Sequence, residues 1–168
     1  MRQTSFADMH CSLAQTLEVV GDWWTPLILR DIYLGIDRFA DLATDLGLSR
    51  NLLTERLTTL VDNGILRRER YRDRPPRDRY VLTDAGLDLV PILVALTAWG
   101  DRWRSPDGGP PIQFRHGEHR AKPTVACGTC GEPLTADRIT AHPGPGGREA
   151  PGTMLIARRL AGPGRPHS

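Results

Sequence analysis

The sequence predicts a mainly α-helical domain with one small β-hairpin, followed by a Gly/Pro-rich C-terminal extension. Three observations predict it. Within the first 104 residues, apolar side chains recur at helical spacing in short segments bounded by glycines or capping residues. One stretch, Ile65 to Leu82, is instead rich in Leu, Tyr and Val around a central Pro75-Pro76. Gly and Pro gather at the end, where Ser105 to Ser168 hold 11 of the 17 glycines and 10 of the 14 prolines.

Leu13, Leu17 and Val20 recur at spacings of four and three, which makes Ser12 to Val20 a short amphipathic helix stopped by Gly21. In the second helix, Thr25 is expected as the cap and Pro26 as the first residue, where a backbone N–H has no partner anyway. It runs to Leu34 and stops at Gly35. Asp37 or Arg38 opens a third helix through Phe39, Leu42, Ala43 and Leu46, ended at Gly47. Ser49 caps the fourth, about Arg50 to Asn63, with Leu53, Leu57, Leu60 and Val61 on its buried face. Asn63-Gly64 supplies its left-handed stop. Two helices joined by the tight link Gly47-Leu48-Ser49, the second polar on its outer side, make a helix-turn-helix pattern.

The chain then reads as a hairpin, Ile65 to Tyr71 and Arg79 to Leu82, with prolines in its loop because Pro75-Pro76 is not expected inside a paired strand. A helix-turn-helix followed by a basic hairpin is a winged helix-turn-helix. Thr83 caps a last helix to about Trp103, in which Pro91 removes one backbone bond and is expected to kink the axis. Its apolar residues cover more than one stripe, so it needs more than one neighbour, and the second is expected to be another copy of the chain. Leu93, Leu96, Trp99 and Trp103 are the expected interface. The domains divide as 11–104 for DNA binding and dimerisation, and 105–168 for the extension.

Net charge is +2, which alone points to no nucleic acid. Position changes that. Arg67 to Arg79 contains seven arginines against Glu69, Asp73 and Asp78, a local excess of four that the near-neutral total conceals. No apolar run approaches the roughly 18 residues of a membrane span, and the N-terminus lacks a signal-peptide core. A soluble cytoplasmic protein with no membrane partner is expected. No Ser-His-Asp or paired-carboxylate arrangement presents itself, so an enzyme is not expected.

Several motifs occur in a distinctive order: C11-S-L-x3-L, G21-D-W-W-T-P-L-I-L-R, R38-F-x-D-L, L48-S-x3-L-T-E-R-L-x2-L, N63-G-I-L-R-R and P75-P-R-x2-Y-x-L-T-x-A-G. From about Cys11 to Trp103 the chain resembles the HxlR-type winged helix-turn-helix transcriptional regulators. The resemblance implies a homodimeric repressor or activator on an inverted-repeat operator in double-stranded DNA. Asp22 departs from the pattern, since the family usually has a lysine before the tryptophan.

The first turn of an α-helix in the major groove meets base edges, which here makes Ser49, Arg50, Asn51 and Thr54 the reading residues. Arg50 suits guanine O6 and N7, and Asn51 suits adenine N6 and N7. Ser49, Thr54 and Arg56 equally suit phosphates, and Thr58 lies on the same outer face. Arg70, Arg72, Arg74 and Arg77 of the wing are expected along the backbone or in the minor groove, or else as a merely solvated face. Nothing in this mechanism requires a cofactor.

Three cysteines cannot build a disulfide scaffold. Cys11 reads as a small core residue beside a helix or, at the family's N-terminal cysteine position, as a redox-responsive thiol. In the extension, His116-x2-His119-x7-Cys127-x2-Cys130 offers four ligands at knuckle spacing for a structural zinc, the alternative being solvated histidines in a polar tail. A redox enzyme would need its Cys-x2-Cys to open a helix, which Gly131 and Pro133 oppose. Residues 143–152 read as a flexible linker, and Thr153 to Leu160 as a frayed helix or none. A winged helix serving only as a protein-interaction module is the remaining alternative class.

Overall fold

The computed structural model describes residues 5–161. Its described residues form two compact units, residues 23–124 and a discontinuous unit joining residues 5–22 to 125–161. These limits differ from those that composition draws: the first helix lies outside the helix-turn-helix unit, and that unit continues past Ser105 to Thr124.

In the larger unit, α2 (Thr25–Tyr33) forms the centre, packed against α3 (Phe39–Leu46), α5 (Asp84–Trp103) and the strand β2 (Pro76–Leu82). Its Ile28 and Leu29 are almost fully buried. Trp24, in helical conformation, occupies the capping position; Thr25 is the first helical residue and is itself buried. The expected threonine cap is thus displaced by one residue, because Thr25 faces the core and not the backbone N–H groups it would have to bond. Arg38 precedes α3, and Gly47, at a φ of 63°, ends it in the left-handed conformation that glycine tolerates. The next helix, α4 (Arg50–Asp62), begins at Ser49, whose hydroxyl accepts from the Leu52 amide at 3.3 Å. Leu53, Leu57 and Leu60 are each 0% exposed, as their spacing requires.

The wing is longer than its sequence suggests. Strands β1 (Leu66–Asp73) and β2 pair antiparallel from Leu66 with Leu82 out to Asp73 with Pro76, leaving only Arg74 and Pro75 at the tip. Pro76 is tolerated because it is the first residue of its strand, where a missing donor costs least. An irregularity between Arg70 and Arg72 leaves Tyr71 outside the register. At its base the wing is fixed by buried Leu66, Tyr80 and Leu82, and by the Tyr80 amide donating to the Asp37 carbonyl at 2.8 Å.

Thr83 caps α5, accepting from the Gly86 amide at 3.3 Å and donating to the Gly64 carbonyl at 2.6 Å. The helix is continuous through Pro91. Beyond it, β3 (Arg115–His116) and β4 (His119–Arg120) form a two-residue hairpin. The smaller unit holds α1 (Ser12–Val20), which begins and ends where its apolar spacing predicts, and α6 (Met154–Ala161). Among the described residues, no helix is long and apolar enough to cross a membrane.

Two features of the larger unit have measurable consequences. Gly86 is buried where α5 crosses the hairpin entry, and a Cβ there would lie 2.4 Å from the Ile65 carbonyl oxygen and 3.0 Å from Leu82 Cδ2. Gly86→Ala should therefore destabilise the fold by about 1 to 3 kcal/mol, as overpacking does, read as a lower denaturant midpoint. An unchanged midpoint would exclude this close approach. Asp31 is 1% exposed and bonded to Arg30 at 2.6 Å, with its second oxygen unpartnered by any hydrogen bond. Burial raises its carboxyl pKa, with the Arg30 guanidinium opposing. A raised folded-state pKa means stability that is present in acid and lost as pH rises above the ordinary aspartate range of about 3.9. Asp31→Asn should remove that part of the pH dependence in equilibrium unfolding; an identical pH profile in both proteins would contradict it.

Candidate nucleic-acid interface

Burying Leu53, Leu57 and Leu60 turns the opposite side of α4 outward. Ser49, Arg50, Asn51 and Thr54 are at its N-terminal end, the first two and Thr54 exposed as expected, while Asn51 shares that exposure and Arg56 and Thr58 are half-buried on its flanks. Their local bonds divide their roles. The Thr54 hydroxyl donates back to the Arg50 carbonyl at 2.8 Å, and the Arg50 guanidinium lies 5.2 Å from the centre of the Phe39 ring. Arg50 is thereby supported by α3 with its charge still accessible. Arg56 lies 3.8 Å from Glu55, which lowers its availability to a phosphate.

The wing's arginines separate into two groups. Near the base, Arg79 lies 3.1 Å from Glu69 and 3.8 Å from Asp37, and Arg67 lies 3.4 Å from Glu69. Arg70 meets Asp78 across the strands at 3.4 Å. Toward the tip, Arg72, Arg74 and Arg77 are exposed, and among the described residues none has a carboxylate within ion-pair distance. Arg72 Nε instead donates to the Arg74 carbonyl at 3.1 Å. Of the four wing arginines without a carboxylate partner among the described residues, three therefore sit toward the tip and the fourth, Arg68, lies near the base with its guanidinium 5.9 Å from the centre of the Tyr80 ring; Arg70 differs from Arg72, Arg74 and Arg77 in being paired. Sequence reading missed Arg38, which precedes α3 and whose guanidinium lies 4.7 Å from the centre of the Tyr71 ring. Its position next to Phe39 was the available signal, but only the fold brings it to the wing.

The last helix presents an apolar stripe at spacings of four, three and four: Ile92, Leu96, Trp99 and Trp103 are 61%, 57%, 55% and 54% exposed. Leu93, expected with them, is half-buried, and Ile92 takes its place on the exposed stripe.

Cys11 is the residue before α1, half-buried, with no capping bond from its side chain. It lines an open groove of about 1160 Å³ within the smaller unit, together with His10, whose Nε2 lies 2.6 Å from the Gly146 carbonyl. The four expected metal ligands form two local pairs. His116 and His119 face each other across the β3–β4 hairpin with ring centres 5.5 Å apart. Cys127 and Cys130 share a turn in the other unit. Among the described residues, no three His, Cys, Asp or Glu side chains come together as a ligand set. The amides of Cys130 and Thr129 and the Cys130 thiol donate to the Cys127 sulfur, which brings its thiol down to about 7. No helix follows the pair, so the strand-Cys-x2-Cys-helix arrangement of a redox enzyme is not what forms here.

All of residues 125–134 but Cys127 are exposed, including Val125 and Leu134 at the open end.

The helix-turn-helix geometry and its exposed first turn agree with what is found among known proteins. The profile of the HxlR-like helix-turn-helix family matches residues 19–108. The chain belongs to this family. As a member it is a DNA-binding transcriptional regulator by descent. A relative, the uncharacterised HTH-type transcriptional regulator Rv3095 of Mycobacterium tuberculosis, is 46% identical over 138 residues, covering 80% of this chain and 87% of the relative. The crystal structure of PA1607, described as a candidate transcription factor, superposes with a TM-score of 0.72 at 32% identity, over 82% of this chain and 98% of the other. The redox regulator HypR in its reduced form gives a TM-score of 0.51 at 30% identity, over 55% of this HxlR-like chain and 92% of HypR.

Proposed function

We propose that this HxlR-like protein regulates transcription by binding an inverted-repeat operator as a homodimer, with α4 in the major groove and the tip of the wing on the DNA backbone or in the adjacent minor groove. The carrying observation is the cluster of Arg72, Arg74 and Arg77, exposed and, among the described residues, without carboxylate partners, while Arg67, Arg70 and Arg79 nearer the wing's base are paired. Unpaired guanidinium groups at a projecting tip have no role in the core, and each phosphate they neutralise releases counterions. Arg50 and Asn51, exposed in the first turn of α4, have the donor patterns that read guanine and adenine edges. Ser49 and Thr54 beside them suit phosphates and set register.

Homodimerisation is supported by the exposed stripe Ile92, Leu96, Trp99 and Trp103, which a second copy can cover by isologous packing. The symmetry of such a dimer is what an inverted repeat would mirror, with half-sites about one helical turn of DNA apart. A second reading adds a thiol response through Cys11, favoured by its half-exposed position at the start of α1 and by the likeness to a redox regulator. It modifies the first reading and leaves the DNA-binding surface the same.

Duplexes selected from a random pool supply the operator for two tests. Replacing Arg72, Arg74 and Arg77 together with alanine should weaken operator and nonspecific DNA alike, and should reduce the slope of log affinity against log salt by about 0.9 for each phosphate no longer neutralised. An unchanged slope would remove the wing from the mechanism. For the dimer, Trp99→Glu should shift the protein to a monomer in sedimentation at micromolar concentration while its helical circular dichroism is retained. Sedimentation of the unaltered chain as a monomer would overturn the dimer directly.

A further inference from the structure

The side of α5 opposite its exposed apolar stripe borders a cleft. After α5 the chain turns back, with the Gly109 amide donating to the Pro106 carbonyl at 3.0 Å, and then forms the β3–β4 hairpin, which the Ala121 amide closes by donating to the Phe114 carbonyl at 2.8 Å. Between this returning segment and α5 lies an open cleft of about 720 Å³, lined wholly by residues of the larger unit. Its α5 wall is Val94, Thr97, Ala98 and Asp101. At about 3.6 residues per turn these four share one face, about half a turn round the helix from Ile92, Leu96, Trp99 and Trp103. A second copy packed on that stripe therefore leaves the cleft open.

Two properties of the cleft point to a class of ligand. The first is an apolar lining of modest size. Val94 and Ala98 are half-buried, and the Thr97 hydroxyl donates to the Leu93 carbonyl at 2.8 Å, so its one donor proton is already used. From the returning segment, half-buried Phe114 supplies an aromatic ring. The second is charge at the rim. Arg102, Arg120 and Lys122 are exposed there against the one carboxylate of Asp101. Among the described residues, none of these three cations has a carboxylate within ion-pair distance. A largely apolar concavity of about 300 to 1,000 Å³ with a few polar groups is the form that small-molecule sites take.

We propose that this cleft binds a small organic anion, a carboxylate carried on a flat apolar body, with the body against Ala98 and Phe114 and the carboxylate on Arg120 and Lys122. A guanidinium and an ammonium group without partners hold a carboxylate by charge-assisted hydrogen bonds. The net positive rim disfavours a cation of the same shape. Binding is reversible, and no covalent bond forms or breaks.

The test uses the full chain with naphthoate as the probe and naphthamide, which has the same rings without the charge, as the comparison. In calorimetry naphthoate should saturate at one molecule per chain, and in amide NMR spectra the shifts should centre on Ala98 and Phe114. Naphthoate should bind at least about tenfold more tightly than the amide, the worth of one charge-assisted hydrogen bond. Replacing Arg120 and Lys122 together with glutamine should remove that difference. Ala98→Phe, which fills the cleft, should remove binding of both probes. No saturable binding of naphthoate up to millimolar concentration, equal affinity for the two probes, or undiminished binding in folded Ala98→Phe protein would each overturn the proposal. The glutamine changes lie at exposed positions and leave the fold intact, so they decide the matter should Ala98→Phe fail to fold. Because probe binding is read without DNA, its outcome is independent of the operator and salt-slope tests.

Discussion

Everything outward-facing in the helix-turn-helix depends on burial of one face of α4. Leu53, Leu57 and Leu60 have no exposed surface, and replacing any one of them with alanine would cost on the order of 2 to 5 kcal/mol. Because side chains on a helix are fixed in angle relative to one another, this buried stripe decides the rotation of α4 about its axis. Arg50 and Asn51 are exposed as a result, Arg50 with its guanidinium against the Phe39 ring of α3. The Ser49 cap fixes the other coordinate, the point at which the helix starts, and the left-handed Gly47 sets its angle to α3.

The wing follows a different logic, since it projects away from any core. Only its base is anchored, through Leu66, Tyr80, Leu82 and the bond from Tyr80 to Asp37. There the arginines are matched by Glu69 and Asp37, and charge contributes to holding the hairpin in place. Such exposed pairs are weak individually, about 0 to 1 kcal/mol. Their larger effect is on where the unpaired charge lies, because pairing Arg67, Arg70 and Arg79 leaves most of the wing's unpaired charge toward its tip.

The extension uses neither device. Its hairpins are short, most of its described side chains are exposed, and its local geometry comes from main-chain bonds and left-handed glycines such as Gly117 and Gly131. A chain segment of this composition lacks the apolar area to order itself.

By itself the sequence determined the elements and the polarity of each. Helix ends at Gly21 and Gly47, the Ser49 and Thr83 caps, and the buried leucines of α4 are consequences of local rules, so they could be read residue by residue. Where a residue's role depended on a distant partner, the sequence was silent or misleading. Thr25 has the chemistry of a cap but is drawn into the core; Pro76 joins a strand because it falls at the strand's first position. Only tertiary structure distinguished Arg70 from Arg72, Arg74 and Arg77, since pairing with Asp78 requires the strand register. The same holds for Arg38, which meets Tyr71 through the folding of α3 against the wing, and for Ile92, which replaces Leu93 on the exposed stripe once packing fixes the rotation of α5. Local periodicity and capping act over one or two helical turns, whereas charge pairing and exposure are set by residues far away in sequence.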